Sequence, residues 1–222
     1  VFLMFEISLL VFLLSIKQVL SSIIARDLAE LEKNEAEKNA SRVIDALNSR
    51  VDALSVKVSD WAQWDDTYKF VADGNQEYIQ SNLQNEAFGL LQINSLIILD
   101  ISGKVLFERT VVDDETFPSS PIFFEHIAED VEEGHINSDG QHRELVSLEA
   151  GPIMYVSRPI TSSDGTAPVN GFIIFGYFIN DAVFTELSRV THLEIEYIPY
   201  PDQFEQEPTA SIWKQVSAEN PI

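Results

Sequence analysis

The feature that most limits what this chain can fold into is the stretch from Ser22 to Val71, which contains neither proline nor glycine and is rich in helix-forming residues. It predicts one long helix, roughly 75 Å in length, with room for a bend. Apolar residues recur along it every three or four positions, which is typical of a coiled-coil seam or of a helix packed on a domain. These seam residues are Ala36, Ala40, Val43, Leu47, Val51, Leu54, Val58 and Trp61.

The early part of this helix has no other segment of its own chain to bury against. We therefore predict that it pairs with a second copy in a parallel homodimer.

Residues 1–24 are nearly continuous apolar sequence, interrupted by Glu6, Lys17 and Gln18. A helix of this length spans about 36 Å, which is enough for a hydrocarbon core of about 30 Å. We predict a transmembrane helix at 1–24 and a helical stalk at 25–58. A cleaved signal peptide is the competing interpretation, but no compact small-residue cleavage site precedes the next helical pattern. Glu6 would have to lie near the cytoplasmic interface or be neutral.

Two other classes of protein remain as alternatives. The segment from Phe2 to Glu6 places a glutamate after a phenylalanine and ahead of an apolar helix, which is similar to the start of mature type IV pilins. Lys17 interrupts the helix that such a filament subunit would use for packing. A binding or hydrolytic protein outside the cytoplasm is the third hypothesis.

Near the end of the long helix lies an aromatic and acidic segment, Trp61 to Val71. At helical spacing Trp61, Trp64, Asp65 and Tyr68 share one face, so a carboxylate is expected within an aromatic stripe. Burying it costs several kcal/mol unless it has a partner. We favour a structural role, in which Asp65 caps the backbone of a neighbouring segment while the tryptophans are core, over direct ligand contact. Asp66 points about 100° away.

The remaining sequence predicts an α+β domain with one mostly antiparallel sheet of five or six strands. The long helix ends at Gly74, and a shorter helical region follows through Phe88. The predicted strands and helices beyond it are strands Ser95–Asp100, Val105–Val112, Leu145–Leu148, Pro152–Ile160, Gly171–Ile179 and Leu193–Ile198, and helices Ile122–Glu132 and Asp181–Thr191. We predict that this domain spans 42–199. We interpret 200–222 as a linker towards a second transmembrane segment.

Composition excludes several functions. The 14 basic and 36 acidic residues give a net charge of -22, which argues against a nucleic-acid partner. The chain has no cysteine, so disulfides, zinc-thiolate sites and thiol catalysis are excluded. It also lacks a G-x-S-x-G elbow, a phosphate-binding glycine loop and an H-E-x-x-H motif. We predict no enzyme activity and no cofactor for this segment.

The chain has four histidines that could act as metal ligands, at positions 126, 135, 142 and 192. His135 and His142 lie in a glycine-containing region beside acidic residues and could form a surface metal site. No paired spacing on one helix or strand supports it, so no metal site is predicted. The acidic run from Glu129 to Glu133 is interpreted as a solvated face.

The pattern W-x-x-W-D-D-x-Y-x-F-V, at residues 61–71, resembles the signature of the fourth class of CHASE domains. These are extracellular sensor modules of bacterial and archaeal membrane-bound cyclases and histidine kinases. Further family motifs follow in order at Asp100–Gly103, Ala150–Pro152, Ser157–Ile160, Ser163–Gly165 and Asn170–Tyr177. The similarity covers about Arg42 to Arg189. The chain has Gly176-Tyr177 where the family commonly has a Gly-Arg pair.

The resemblance implies a PAS-like sensor domain of a membrane receptor with an intracellular output, such as a cyclic-di-nucleotide cyclase, a phosphodiesterase or a kinase. It also implies a location in the cytoplasmic membrane, with the domain in the periplasm or outside the cell.

We expect an unidentified small-molecule ligand on the concave face of the sheet. The residues predicted around it are Trp64, Asp65, Tyr68, Phe123, Phe124, Tyr155, Ser157, Arg158, Phe175 and Tyr177. Because side chains alternate along a strand, Tyr155 and Ser157 face one way and Arg158 the other, and the sequence leaves open which of them faces the cavity. We slightly favour Arg158 as the structural partner of an acid, with Asp65 as one candidate.

Overall fold

The computed structural model describes residues 2–112, 115–117, 120–148 and 151–196. The helices are α1 Phe2–Ala62, α2 Asp65–Asp73, α3 Gln76–Asn82, α4 Asn85–Leu91, α5 Pro121–Glu132 and α6 Asp181–Thr191. The strands are β1 Ser95–Asp100, β2 Val105–Val112, β3 Glu115–Phe117, β4 His142–Leu148, β5 Gly151–Ile160 and β6 Gly171–Phe178. One compact unit ends at Asn180 and a second begins at Asp181. In the second unit, α6 buries Val183, Leu187 and Thr191.

The six strands form one antiparallel sheet in the order β3-β2-β1-β6-β5-β4. This confirms the predicted fold class of an α+β domain with a single antiparallel sheet. Strand β3 was not predicted, because it has only three residues, all exposed, and a single apolar side chain, Phe117. The predicted last strand was wrong over Leu193–Glu196, which form no strand. The rest of that strand and the predicted linker, 200–222, lie outside the described residues.

The sheet has two covered faces, which we call the α1 face and the α5 face after the helix packed on each. On the α1 face, Phe175 meets Trp61 of α1 with ring centroids 5.7 Å apart. On the α5 face, Tyr155 meets Phe123 of α5 at the same centroid separation, 5.7 Å. Alternation along β5 and β6 assigns neighbouring residues to opposite faces, so both faces are made by the same strands.

The predicted continuous helix through Val71 is interrupted. Helix α1 ends at Ala62, Trp64 is extended with φ -117 and ψ 127, and α2 begins at Asp65. Asp65 and Asp66 lie in the first turn of α2, where the helix dipole favours negative charge. The helical phase therefore changes after Ala62, and Asp65 is exposed instead of lying in an aromatic stripe.

Two glycines hold conformations that the fold requires. Gly74 closes α2 in the left-handed region, with φ 63, and donates its N–H to the Phe70 carbonyl, as the sequence predicted for a helix cap. Gly171 lies where β6 approaches β1 so closely that an added Cβ would collide with the Leu99 carbonyl oxygen. Both positions therefore favour glycine, for different reasons.

Helix α1 differs along its length. Its later part buries Val51, Leu54 and Val58 in the domain. Its earlier part exposes large apolar side chains, namely Phe12, Leu13, Leu14, Ile16, Val19, Leu20, Ile23, Ile24, Leu28 and Leu31. Within the described ranges we find no helix with the length and apolar character that a membrane span requires, so the predicted span at 1–24 is not confirmed.

Candidate functional site

The residues predicted around a ligand are divided between the two faces of the sheet. Cross-strand pairs place Arg158, Phe175 and Tyr177 on the α1 face, through the pairings Arg158↔Ile173, Val156↔Phe175 and Met154↔Tyr177. Tyr155 and Ser157 lie on the α5 face, and Phe123 packs there from α5. The structure therefore does not bring these residues into one cavity, and their role in ligand binding stays a prediction.

Asp65 contacts the backbone of a neighbouring loop, as a structural role would require, and that role stays a prediction. Its Oδ1 accepts a hydrogen bond of 2.9 Å from the Ser163 backbone N–H, and its own N–H donates to Ser163 Oγ at 3.2 Å. Nearby, the Thr161 N–H donates to the Ala62 carbonyl at 3.0 Å. These contacts attach the α1–α2 junction to the loop between β5 and β6. Arg158 is not the partner of Asp65, and in the described ranges it makes no ion pair.

The aromatic residues of the motif form a packed group around Tyr78. The ring centroid of Trp64 lies 5.8 Å from that of Trp61 and 6.0 Å from that of Tyr78. The Phe70 ring stacks on the Tyr78 ring with centroids 4.8 Å apart. Burial raises the pKa of Tyr78 to about 12, although its hydrogen bond with Thr67 acts in the opposite direction. The group is structural, since its rings pack on one another.

Tyr68, another predicted site residue, is half-buried, and its carbonyl accepts a hydrogen bond of 2.9 Å from Asn170 Nδ2. An open depression of about 520 Å³ lies nearby, and its lining is mostly charged and polar. Its lining residues are Asp66, Lys69, Asp73, Asn75, Glu77, Tyr78, Ser81 and Asn82. Small-molecule pockets have similar volumes but are mostly apolar, so this depression does not match the predicted apolar site.

A smaller cavity, of about 70 Å³, lies on the α1 face beside Tyr177. The Arg50 guanidinium carbon is 5.3 Å from the centroid of the Tyr177 ring. Burial raises the pKa of Tyr177, while the Arg50 charge lowers it. Lys57 also lines this cavity, and burial together with Arg50 lowers the pKa of its amine. The cavity is far smaller than the roughly 300 Å³ at which pockets for drug-sized ligands begin.

On the α5 face, polar side chains converge around the hydroxyl of Tyr155. We call His126, Asp130, His142 and Glu144 the histidine–carboxylate cluster. His126 and Asp130 are four residues apart on α5, so they share one side of that helix. His142 and Glu144 are two residues apart on β4, and Glu144 pairs with Tyr155 across the sheet. Helix and strand periodicity therefore direct all four side chains to one place.

The cluster is held by short nitrogen–oxygen contacts. His126 Nε2 lies 3.3 Å from Glu144 Oε2 and 3.6 Å from Asp130 Oδ2. His142 Nε2 lies 3.3 Å from the same Glu144 oxygen and 3.5 Å from the same Asp130 oxygen. The Tyr155 hydroxyl donates to Asp130 Oδ2 and lies 3.1 Å from His142 Nε2.

Asp130 is the most deeply placed acid of the cluster, with 4% of its surface exposed. Its other carboxylate oxygen, Oδ1, lies 3.2 Å from His135 Nδ1. The His135 ring stacks on the His142 ring with centroids 5.7 Å apart. Burial, reinforced by the hydrogen bond to Asp130, raises the pKa of Tyr155, so this hydroxyl stays a neutral donor. Among the residues that the structure describes, the ion pairs of Asp130 and Glu144 are all with histidines.

Sequence reasoning missed this cluster. It predicted that the strand before Gly151 began at Leu145, which left His142 in a loop, whereas β4 begins at His142. It also interpreted the run from Glu129 to Glu133 as solvated, whereas Asp130 is buried. His126 and Asp130 share one side of α5, and His142 and Glu144 share one side of β4. The spacings His126-x-x-x-Asp130 and His142-x-Glu144 were the available signals.

Nitrogen and oxygen atoms that could ligate a metal ion lie close together in the cluster. One such atom from each of His126, Asp130 and Glu144 lies within 4.8 Å of the others. Imidazole nitrogen and carboxylate oxygen are both ligands of divalent transition metals.

Comparison with known proteins agrees with the resemblance in the sequence. The CHASE4 domain model matches residues 46–198. The methanogenesis regulatory histidine kinase FilI of Methanothrix harundinacea (strain 6Ac) is 24% identical over 170 residues, which cover 76% of this chain. The matched part is 19% of that relative's length.

Solved structures with a looser similarity include one extracellular and one periplasmic domain. The extracellular domain of vpHK1S-Z8 is 16% identical, with a TM-score of 0.48, over 85% of this chain and 77% of its own. The periplasmic domain of Vibrio cholerae LuxQ is 13% identical, with a TM-score of 0.46, over 75% of this chain and 80% of its own. The family model, in contrast, matches well over half of the chain, and the chain belongs to the CHASE4 domain family.

Proposed function

We propose that this chain is the sensory input domain of a membrane-bound receptor histidine kinase and that it lies outside the cytoplasm. Membership of the CHASE4 family carries the proposal. The choice of a kinase output is supported by the matched relative, which is named a histidine kinase. This chain corresponds to 19% of that relative, so most of the relative's length is available for other domains. The pilin-like alternative gains no support from the family match.

Helix α1 is the part of the domain suited to carry a signal. Its later turns pack on β5 and β6, with Trp61 against Phe175, and its earlier turns continue away from the sheet. With 61 residues and a rise of about 1.5 Å per residue, the helix is roughly 90 Å long. A ligand that changes the packing on the α1 face would thereby move a long rigid element. We propose that the exposed apolar residues from Phe12 to Ile24 anchor it in the cytoplasmic membrane.

We further propose that the receptor is a parallel homodimer through α1. Beyond the part that packs on the domain, the seam residues Ala36 and Ala40 are exposed. Leu28, Leu31 and Ile44 are also exposed, at 54%, 65% and 55%. Exposed apolar side chains along one helix are stabilised when a second helix covers them.

The dimer can be tested by cysteine crosslinking, since the chain contains no native cysteine. Ala36→Cys and Ala40→Cys place thiols on the seam, and Lys38→Cys is the matched control on the opposite side of the helix. In membranes under mild oxidation, the two seam variants should form disulfide-linked dimers and the control should not. Equal crosslinking of all three would contradict a defined dimer interface.

The sensory role is tested with the full-length gene product in membrane vesicles. Deleting residues 46–198 should leave autophosphorylation in place but remove its response to added small molecules. A thermal-shift screen of anionic and neutral metabolites on the isolated chain selects the molecules to add. The proposal fails if the gene encodes no kinase, or if the deletion variant responds as the wild type does.

A further inference from the structure

We propose that the histidine–carboxylate cluster is a binding site for a divalent transition metal ion, with Zn²⁺ as the best-suited ion. Four side chains from two elements, α5 and β4, contribute donor atoms to the site: His126 and His142 through Nε2, and Asp130 and Glu144 through one carboxylate oxygen each. This site does not depend on the proposed sensory role, because binding is a property of the chain alone.

The spacing of the donor atoms is the first argument. The four nitrogen–oxygen separations within the cluster are 3.3, 3.6, 3.3 and 3.5 Å. Zinc binds nitrogen and oxygen at about 2.0–2.2 Å, so neighbouring ligands around a tetrahedral ion lie about 3.3–3.6 Å apart. These four nitrogen–oxygen pairs therefore already lie at the distances that shared coordination produces.

The second argument is the state of His126. Its Nε2 is closed to solvent and makes no hydrogen bond within the described ranges, even though two carboxylate oxygens are near it. A buried ring nitrogen without a hydrogen bond costs about 1–3 kcal/mol, so such atoms usually serve a purpose. Coordination to an ion placed between these oxygens satisfies the nitrogen and both carboxylates at once.

Charge gives the third argument. Asp130 is buried and Glu144 is half-exposed, and in the described part of the chain neither is paired with lysine or arginine. Two close carboxylates in a partly buried site need a compensating positive charge. A divalent cation supplies that charge. His135, which contacts Asp130 Oδ1, and Tyr155, which donates to Oδ2, hold that carboxylate in position.

The donor set also selects the class of ion. Two imidazoles with two carboxylates suit zinc and its neighbours in the transition series, whereas Ca²⁺ and Mg²⁺ prefer sites made of oxygen alone. A bound ion would join α5 to β4 on the α5 face. We therefore expect the metal to increase the thermal stability of the domain.

The test is zinc binding to the purified 222-residue chain, without a polyhistidine tag and stripped with a chelator. Isothermal titration with Zn²⁺ should show saturable binding of one ion per chain. His126→Gln and Glu144→Gln should each weaken zinc binding at least about tenfold. Removing a residue that only hydrogen-bonds to a metal ligand already lowers metal affinity by about 10–100-fold, and the loss of a ligand itself should be no smaller. His192→Gln is the matched control, an exposed histidine outside the cluster, and should bind as the wild type does.

Melting curves without metal show whether each variant is folded. Glu144→Gln keeps the size of a half-exposed side chain, so it carries the test if His126→Gln does not fold. Bound Co²⁺ should give the visible absorption of a nitrogen–oxygen site in the wild type and lose it in both cluster variants. The proposal is overturned if the wild type binds no Zn²⁺, if both folded variants bind it equally well, or if Ca²⁺ or Mg²⁺ binds as tightly as Zn²⁺.

Discussion

The two faces of the sheet are built from alternate residues of the same strands, yet they are covered in different ways. On the α1 face, Phe175 packs on Trp61 and the Arg50 guanidinium lies over Tyr177. On the α5 face, the apolar core ends in Tyr155, whose hydroxyl contacts one histidine and two acids. The α1 face therefore packs closely on a long helix, whereas the apolar core of the α5 face borders the polar side chains of the histidine–carboxylate cluster.

This difference matches the two roles proposed above, signal transmission through α1 and metal binding on the α5 face. Apolar packing transmits displacement, because close-packed side chains cannot deform continuously. A partly buried polar cluster instead selects ions or ligands, because its groups are costly to leave unsatisfied.

The largest effect should come from the α1 face. Phe175 is fully buried, so Phe175→Ala should lower the free energy of unfolding by about 3–5 kcal/mol. Phe117→Ala is the matched control, since Phe117 on β3 is 44% exposed, and its cost should stay within about 0.5 kcal/mol. Urea denaturation of both variants measures the difference. Similar losses would mean that the α1 face is not a packed contact.

The next effect concerns the junction that borders the α1 face. Trp64 is half-buried against Trp61 and Tyr78, so Trp64→Ala should cost about 2–4 kcal/mol. Asp66 is exposed in the first turn of α2 and lies 3.4 Å from Lys69, so Asp66→Ala should cost about 0.3–1 kcal/mol. Chemical denaturation compares them, and equal costs would show that Trp64 contributes no packing.

A pair of tyrosines compares the faces directly. Tyr155→Phe removes a hydroxyl that donates to the buried Asp130 carboxylate, and should cost about 1–3 kcal/mol. Tyr177→Phe removes a buried hydroxyl that makes no hydrogen bond of normal geometry in the described part of the chain, and should change stability by no more than about 0.5 kcal/mol. Thermal and urea unfolding of the two variants decide the matter. The reverse order would overturn the assignment of polar chemistry to the α5 face.

The smallest effect lies in the β5–β6 loop, which meets the α1–α2 junction. Hydrogen bonds from Ser162 and Thr166 lower the pKa of the exposed Asp164 carboxyl from 3.8 to about 2. Because the folded pKa is lower than the unfolded one, the contribution is present above pH 3.8 and is lost as the pH falls towards 2. The difference in stability between the wild type and Asp164→Asn should therefore shrink over that range. Asp60→Asn, at an exposed acid of α1, is the control, and its difference in stability from the wild type should stay constant over this pH range. A constant difference for Asp164→Asn would contradict the assignment.

Sequence patterns predicted the parts of this fold that local signals determine. The apolar run of β1 and the glycine after α2 mark their elements in the sequence, and both were predicted at the observed positions. The interruption at Trp64 was not predicted, because no proline or glycine marks it. It depends on the hydrogen bonds between Asp65 and Ser163, which lie 98 residues apart in the sequence. The cluster was missed because a three-residue error at the start of β4 removed His142 from its strand.

The two borders of the sheet have a consequence for how the protein behaves at high concentration. One border is β3, with three residues, all exposed. The other is β4, which begins with the polar residues His142, Arg143 and Glu144. Unpaired strands of long, flat, apolar character recruit further strands and start aggregation, whereas short or charged borders resist it. Neither border of this sheet offers a long apolar template, so its open hydrogen-bonding groups should not drive copies of the chain to stack edge to edge.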